Sequence, residues 1–443
     1  MSSDLQAYQL DELCEFTNGF AFKSSDYVDA SAETMEVFRM GYICRGGGFK
    51  EDSTPVFVPR AYGKNLDKFI LKSGDVVIAM TDMKDKVAIL GNTARIRHDN
   101  RFVLNQRAGC IRVKRRDLLD PDYFYFYSNS IPHVDYLRSR ANSGVQVNLS
   151  TSAIKESQLL IPPLEVQKSV ASTLMALDDR INLLRETNTT LEAIAQALFN
   201  SWFVDFDPVH AKMQGLAPEG MDEATAALFP DSFEESELGP VPKGWQVKSL
   251  DAVASFLNGL ALQKFPPTGD NDLPVIKIAQ LRKGDTVGAD LASRSIKPEY
   301  LVQNGDVLFS WSGSLEVEIW CGGEGALNQH LFKVTSGAFP KWFYFLWTRH
   351  HLEHFRQVAA SKATTMGHIQ RAHLTGAKVL VPSDGVLNAA NSVLEPIMQR
   401  VIENSLQAYN LAALRDTLLP RLISGQLRLS GLELISNAEV LSE

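Results

Sequence analysis

Leu10-Asp11-Glu12-Leu13-Cys14-Glu15-Phe16-Thr17-Asn18-Gly19-Phe20-Ala21 returns 240 residues later as Leu250-Asp251-Ala252-Val253-Ala254-Ser255-Phe256-Leu257-Asn258-Gly259-Leu260-Ala261. The echo continues in order along the chain. Gly74-Asp75-Val76-Val77 matches Gly305-Asp306-Val307-Leu308, Leu104-Asn105-Gln106 matches Leu327-Asn328-Gln329, and Ile161-Pro162 matches Val381-Pro382. The offset shrinks to 220 by the last match, so the second copy has shorter loops. One short match is chance; four in register describe an internal repeat.

Each copy has two parts. The first is a run of short apolar segments broken by Gly, Pro, Asn and Asp, such as Asp75-Val76-Val77-Ile78-Ala79-Met80 and Asp306-Val307-Leu308-Phe309-Ser310-Trp311. Apolar runs of this length between turn signals read as strands, and the Gly-Asp pair ahead of each supplies the turn. The second part is a long helix. Val170 to Phe199 contains no Gly or Pro, and Leu174, Leu177, Ile181, Leu184, Asn188, Leu191, Ala195 and Leu198 fall at alternating spacings of three and four. That is the seam of a coiled coil. Adding 220 gives Leu394, Ile397, Val401, Asn404, Ala408, Leu411, Arg415 and Leu418, the same seam with its Asn displaced. An Asn in such a seam costs stability and fixes the pairing. Pro162-Pro163 and Pro382 end the strand before each helix, and Pro208 and Pro420 lie near the helix ends.

The expected fold is α+β: two β-rich domains alternate with two long helices, which pair as an antiparallel coiled coil in a pseudo-twofold repeat. The alternatives are helices that pack on their own domains or pair with another chain. The segments are 1–160, a first β-rich domain; 161–204, a first helix; 205–244, an acidic linker; 245–382, a second β-rich domain; 383–428, a second helix; and 429–443, a tail.

Charge is unevenly spread. The net −8 divides into +1 over residues 1–160 (21 Lys and Arg, 20 Asp and Glu), −10 over 161–240 (4 and 14), +3 over 241–385 (15 and 12) and −2 over 386–443 (4 and 6). The acid is concentrated in one connecting stretch, so local basic faces on the β-rich domains remain available to nucleic acid. No segment reaches the 18 or more consecutive apolar residues of a membrane span, and Met1-Ser2-Ser3-Asp4-Leu5 lacks the features of a signal peptide. Cys14, Cys44, Cys110 and Cys321 are scattered without a CxxC pair. They read as buried or half-buried thiols in a reducing cytoplasm.

Reaction chemistry is hard to find. Neither Ile161-Pro162-Pro163-Leu164 nor Phe265-Pro266-Pro267-Thr268 has the Asn/Asp-Pro-Pro-aromatic form of an amino-methyltransferase loop, and no GxxxxGK[ST] occurs. Arg45-Gly46-Gly47-Gly48-Phe49 reads as a turn, with a phosphate cradle as the alternative. His350 and His354 are four apart, but no Glu completes HExxH. The helix there is DNA-facing or solvated, and no metal is expected. The aromatic runs Tyr123-Phe124-Tyr125-Phe126-Tyr127 and Trp342-Phe343-Tyr344-Phe345-Leu346-Trp347 stand at equivalent places and read as core; base-stacking platforms are the alternative.

The layout resembles the specificity subunits of type I restriction-modification systems. Ala197-Leu198-Phe199-Asn200-Ser201-Trp202-Phe203-Val204-Asp205-Phe206-Asp207-Pro208-Val209 looks like the end of their first helix. Phe229-Pro230-Asp231-Ser232-Phe233 with Leu238-Gly239-Pro240-Val241-Pro242-Lys243-Gly244-Trp245 resembles the approach to their second recognition domain. Leu414-Arg415-Asp416-Thr417-Leu418-Leu419-Pro420-Arg421-Leu422-Ile423-Ser424-Gly425 resembles their C-terminal repeat, and Ile161-Pro162-Pro163-Leu164-Glu165-Val166-Gln167 their strand-to-helix junction. One departure is visible: before the second helix, Pro-Pro-Leu-x-x-Gln becomes Pro382-Ser383-Asp384-Gly385-Val386-Leu387.

The resemblance implies a non-catalytic subunit. Each β-rich domain would be a target-recognition domain reading one half of a split double-stranded DNA site. The chain would dock two methyltransferase subunits and, for cleavage, ATP-driven restriction-translocase subunits, with no membrane partner. S-adenosylmethionine, ATP and Mg would be held by those partners. The helices would act as a ruler: roughly 35 residues span about 50 Å at 1.5 Å each, and readers on one face of B-DNA sit about 34 Å or a multiple of it apart.

Duplex reading needs Lys and Arg on phosphates, and Arg, Asn, Gln or His on base edges, carried on loops. The candidates are Lys23, Arg45, Lys50, Lys84, Lys86, Arg107, Gln146 and Asn148 in the first copy. In the second they are Lys264, Gln280, Arg282, Lys283, His330, Lys362, Thr364, Thr365 and His368. Arg107 and His330 both follow Asn-Gln and differ in chemistry, as readers of two different half-sites would. Two other functions stay in view: a nuclease with an unfamiliar site, and a protein-interaction scaffold without DNA specificity.

Overall fold

The computed structural model describes residues 5–50, 54–63, 65–83, 87–143, 146–361 and 367–429. The chain divides into two compact units. The first is Met1–Asp179 together with Ala412–Glu443, and the second is Arg180–Leu411. The two long helices, Leu164–Phe199 of 36 residues and Asp384–Ile423 of 40, each begin in one unit and end in the other.

The first unit is built on an antiparallel sheet in the order Cys14–Asn18, Ala108–Val113, Val76–Ala79, Thr93–Arg95. A three-stranded sheet, Phe57–Pro59, Thr34–Phe38, Phe102–Leu104, contains a parallel pair. Val76–Ala79 is buried along its whole length, which is why its four residues are all apolar instead of alternating. In the second unit the order recurs as Ser255–Asn258, Leu331–Thr335, Val307–Ser310, Val317–Ile319. The parallel pair recurs as Leu273–Ile276 with Gly325–Leu327.

The repeated Gly-Asp pair opens each central strand in the same way. Gly74 and Gly305 have φ of 86° and 88°, a left-handed conformation that glycine adopts without a Cβ clash. Asp75 accepts the Lys72 N–H and Asp306 that of Gln303, each at 2.8 Å. Each carboxylate then pairs with a cation on the neighbouring strand: Arg112 at 2.6 Å and Lys333 at 2.7 Å.

Both aromatic runs are core helices. Pro121–Ser128 buries Tyr123, Phe124 and Phe126, and Lys341–His350 buries Trp342 through Trp347. The acidic linker is itself folded. Asp207–Met213, Glu223–Leu228 and the hairpin Phe233–Ser236/Gly239–Pro242 are tied into the second unit's core through Phe203, Val209, Phe229, Val241 and Trp245.

The helices meet inside each unit. In the first, Arg415 donates to the Asp178 carboxylate at 2.6 Å. In the second, the Asn404 amide donates to Asn188 Oδ1 at 2.9 Å, while the Asn188 amide donates to the Val401 carbonyl and Ser405 Oγ, both at 2.9 Å. Residue numbers rise along one helix as they fall along the other, so the pairing is antiparallel. The displaced Asn of the second seam is thereby explained: an antiparallel partner brings residue 404, not 408, opposite Asn188. Of the seam, Leu174, Ile181, Leu184, Asn188, Leu394, Val401 and Asn404 are buried, and Leu177, Leu191, Leu198, Ile397, Leu411 and Leu418 are half-buried. Asp178, Phe199, Met398 and Leu422 are buried beside them. That is the drift a 3.6-residue helix shows against a 3.5-residue repeat.

Asn188→Ala is expected to cost about 1–3 kcal/mol in denaturant unfolding, because it strands the buried Asn404 amide. The double replacement Asn188→Leu/Asn404→Leu is expected to recover that loss. A single variant as stable as the wild type would show the pair to be idle.

Candidate nucleic-acid interface

The repeated Asn-Gly and Leu-Asn-Gln motifs touch one another. In the first unit Phe20 N–H donates to Leu104 O at 3.0 Å, Gln106 N–H to Phe20 O at 2.8 Å and Gly19 N–H to Ala108 O at 3.1 Å. In the second, Leu260 N–H donates to Leu327 O at 2.9 Å, Gln329 N–H to Leu260 O at 2.9 Å and Gly259 N–H to Leu331 O at 3.0 Å. The approach is so close that a Cβ on Gly19 would lie 1.8 Å from the Asn105 carbonyl oxygen, and one on Gly259 2.2 Å from that of Asn328.

Two further segments join at the residue after Asn-Gln. The Arg107 carbonyl accepts Met80 N–H at 2.9 Å, and the Met80 carbonyl accepts Leu149 N–H at 2.8 Å. Correspondingly, His330 O accepts Trp311 N–H at 3.3 Å and Trp311 O accepts Ile369 N–H at 3.0 Å. From there Thr81–Met83 pairs with Gln146–Asn148, placing Asn148 opposite Thr81 and Gln146 opposite Met83. Among the described residues of the second unit, the corresponding pairing is one bridge, Ser312 with His368. Each unit therefore presents one loop cluster on the same backbone frame. The structure brings together Arg107, Gln146 and Asn148 in the first, and His330 and His368 in the second. Lys84, Lys86, Lys362, Thr364 and Thr365 lie outside the described residues.

The side chains on that frame differ. Arg107 is exposed. His330 is half-buried, its Nδ1 2.9 Å from Ser312 Oγ and its ring 5.9 Å from that of Trp311. Trp311 is fixed by donating Nε1–H to Asn258 Oδ1 at 2.9 Å, and its ring lies edge-on to His368 at 6.3 Å. In the first unit Asp82 plays the organising part, accepting the N–H groups of Ala88 and Ile89 at 2.7 Å. Thr81, Asp82, Trp311 and Ser312 escaped the sequence reading. The signal was present, because Thr81 and Ser312 each stand seven residues after the repeated glycine, Gly74 or Gly305.

The remaining candidates divide. Lys23 and Lys264 are exposed on the loops that follow Gly19 and Gly259. Gln280, Arg282 and Lys283 lie on Ile278–Lys283, beside the Ser312 loop, but are partly committed. Gln280 Oε1 accepts Lys277 N–H at 3.3 Å, Arg282 lies 3.9 Å from Glu316 and Lys283 2.8 Å from Asp285. Arg45 and Lys50 are exposed at the Gly-rich loop. That loop is a turn and not a phosphate cradle: Gly46 N–H donates to Asn92 Oδ1, Gly47 N–H to Cys44 O and Gly48 N–H to Thr93 O, so none of the three is left for an anion.

Burial pushes the Cys14 thiol up to about 12 and raises Cys110 well above its usual value, which makes both poor nucleophiles. His350 and His354 are exposed, while His351 between them donates to the Lys378 carbonyl at 2.8 Å, and its burial lowers its pKa to about 4. Among the described residues no group of three His, Cys, Asp or Glu is placed to hold a metal ion, and no helix is long and apolar enough to cross a membrane.

One loop-bearing β fold thus occurs twice, with different polar side chains on the same backbone frame, which makes the chain a duplicated module. Residues 2–193 match the family described as the type I restriction modification DNA specificity domain. The chain is 25% identical over 339 residues to the type I restriction enzyme MjaIX specificity subunit of Methanocaldococcus jannaschii, covering 74% of each. It is 24% identical over 361 residues to the HindI specificity subunit of Haemophilus influenzae, covering 69% of this chain and 77% of the other. The crystal structure of the type I restriction-modification S subunit from M. genitalium shares the fold at a TM-score of 0.53 and 14% identity, over 95% of this chain and 96% of that one. Residues 2–193 thus match a type I restriction modification DNA specificity domain, and the likeness to specificity subunits of type I restriction enzymes extends over 74% of the chain.

Proposed function

We propose that each unit reads one half of a split, asymmetric DNA site through its loop cluster, and that the paired helices set the spacing between the halves. The observation that carries this is the duplicated backbone frame with different side chains: Arg107, Gln146 and Asn148 on one copy, His330, Ser312 and His368 on the other. A shared frame keeps the docking similar while the base-edge contacts change. The chain docks two methyltransferase subunits and, for cleavage, restriction-translocase subunits in the cytoplasm. Adenine-N6 methylation and cleavage belong to those partners, which hold S-adenosylmethionine, ATP and Mg.

Single-molecule sequencing of DNA from cells carrying the partner methyltransferase, with and without this chain, tests the reading. Methylated adenines are expected at one split motif only when the chain is present, and exchange of residues 1–160 for those of a relative is expected to change one half of that motif. Duplex binding by the complex is expected to weaken steeply with salt. If no split motif depends on the chain, the protein-interaction scaffold replaces this reading.

A further inference from the structure

Among the described residues, four other than glycine have a left-handed φ: Asn100, Arg107, Phe206 and Asn271. Asn tolerates that region. Phe206 is held in it by packing, with the Phe233 and Trp245 rings both at 5.9 Å. Arg107, at φ 71°, has neither excuse. Its side chain is exposed and its guanidinium has no hydrogen-bond or ion-pair partner among the described residues, whereas Arg95, Arg101 and Arg112 of the same unit are paired with Asp122, Glu36 and Asp75. For the fold alone, glycine would serve better at 107.

The backbone there is fixed on every side. Gln106 N–H is bound to Phe20, the Arg107 carbonyl to Met80 N–H and the Ala108 carbonyl to Gly19 N–H. A long cation thus stands on a rigid turn, at a backbone cost, at the centre of the loop cluster. We infer that Arg107 is a base-reading residue of the first half-site, donating two N–H groups to O6 and N7 of one guanine in the major groove. A planar fork of donors matches that acceptor pair, while a point charge suits a phosphate as well. The position is the reading position of the repeat: in the second unit the same backbone place carries His330, whose Nδ1 engages Ser312 and whose Nε2 edge faces Gln329 at 3.3 Å. This rests on the reading that the first unit contacts the duplex.

The test uses Arg107→Gly and Arg107→Lys in the full chain, assembled with the partner methyltransferase. The readouts are the methylated motif in cells and the binding of duplexes carrying each single base change. Arg107→Gly is expected to fold with an unfolding midpoint no lower than the wild type. It is expected to bind the cognate duplex about 5- to 150-fold more weakly, and to accept other bases at one G·C position of one half while the second half stays stringent. Arg107→Lys is expected to lose the same discrimination. An unchanged motif with Arg107→Gly overturns the inference while leaving the two-half reading intact. So does full stringency with Arg107→Lys, which would make the contact a phosphate anchor. If the wild-type chain itself directs methylation to no split motif, the underlying reading fails and the inference with it.

Discussion

Gly19→Ala is expected to destabilise the first unit by roughly 3 kcal/mol or more, at the upper end of what overpacking with loss of backbone hydrogen bonds costs. The new Cβ would sit 1.8 Å from the Asn105 carbonyl oxygen, and neither partner is free to yield. Phe20 N–H to Leu104 and Gln106 N–H to Phe20 clamp the two segments together, so relief requires breaking that clamp. Because the turn carries Arg107, recognition of one half-site is expected to fail with it. Gly259→Ala is expected to do the same to the other half, since its Cβ would lie 2.2 Å from the Asn328 oxygen. Gly63→Ala is the control: nothing lies within 4 Å, and its stability is expected to stay within about 0.5 kcal/mol of the wild type. Denaturant unfolding followed by motif sequencing reads both effects; a Gly19→Ala chain of wild-type stability would contradict the close approach.

The second large effect is expected from Gln167→Leu. The Gln167 side chain is fully buried and makes three bonds: its Oε1 accepts Asp120 N–H at 2.9 Å, and its Nε2 donates to Leu118 O and Pro162 O, both at 2.8 Å. Leucine leaves all three backbone groups without that partner, for a loss of roughly 3–5 kcal/mol in equilibrium unfolding. A loss under 1 kcal/mol would mean that water replaces the amide.

The second copy shows why it dispenses with this residue. Shifted by 220, Gln167 becomes Leu387 and Asp120 becomes Pro340. Proline has no N–H to satisfy, so an apolar residue serves at 387, where it packs against the core. The break in the Pro-Pro-Leu-x-x-Gln pattern is therefore one half of a paired change. The other half lies 47 residues away, at the start of the aromatic helix Lys341–His350.

Such couplings mark the limit of what the sequence discloses. The long helices, their Asn and the Gly-Asp turns were legible because periodicity and turn chemistry are local. So was the duplication, which order alone reveals. The contact of Gly19 with Asn105 was not, because it joins residues 86 apart through backbone atoms that carry no residue signature. Gln167 looked like part of a junction motif, and only the structure shows that its partners are Leu118, Asp120 and Pro162. At the candidate interface, Arg107 and His330 could be singled out as the same position with different chemistry. Gln280, Arg282 and Lys283 looked equally suitable, because side-chain engagement with Lys277, Glu316 and Asp285 is invisible in a string of letters.

The division of the chain also has a consequence for its synthesis. The first unit includes residues 412 onward, among them Leu422 and Ile423 of its core and the Arg415 that meets Asp178. A ribosome that has just made Asp179 must add 232 more residues before that closing helix segment begins, which at about 5–20 residues per second takes on the order of 10–50 s. Throughout that interval the apolar face around Leu174 waits uncovered while the second unit, an unbroken stretch of chain, is made and folds. The first recognition fold to emerge is thus the last to be completed, and the newborn chain is most exposed to aggregation and to chaperone capture at its earliest-made end.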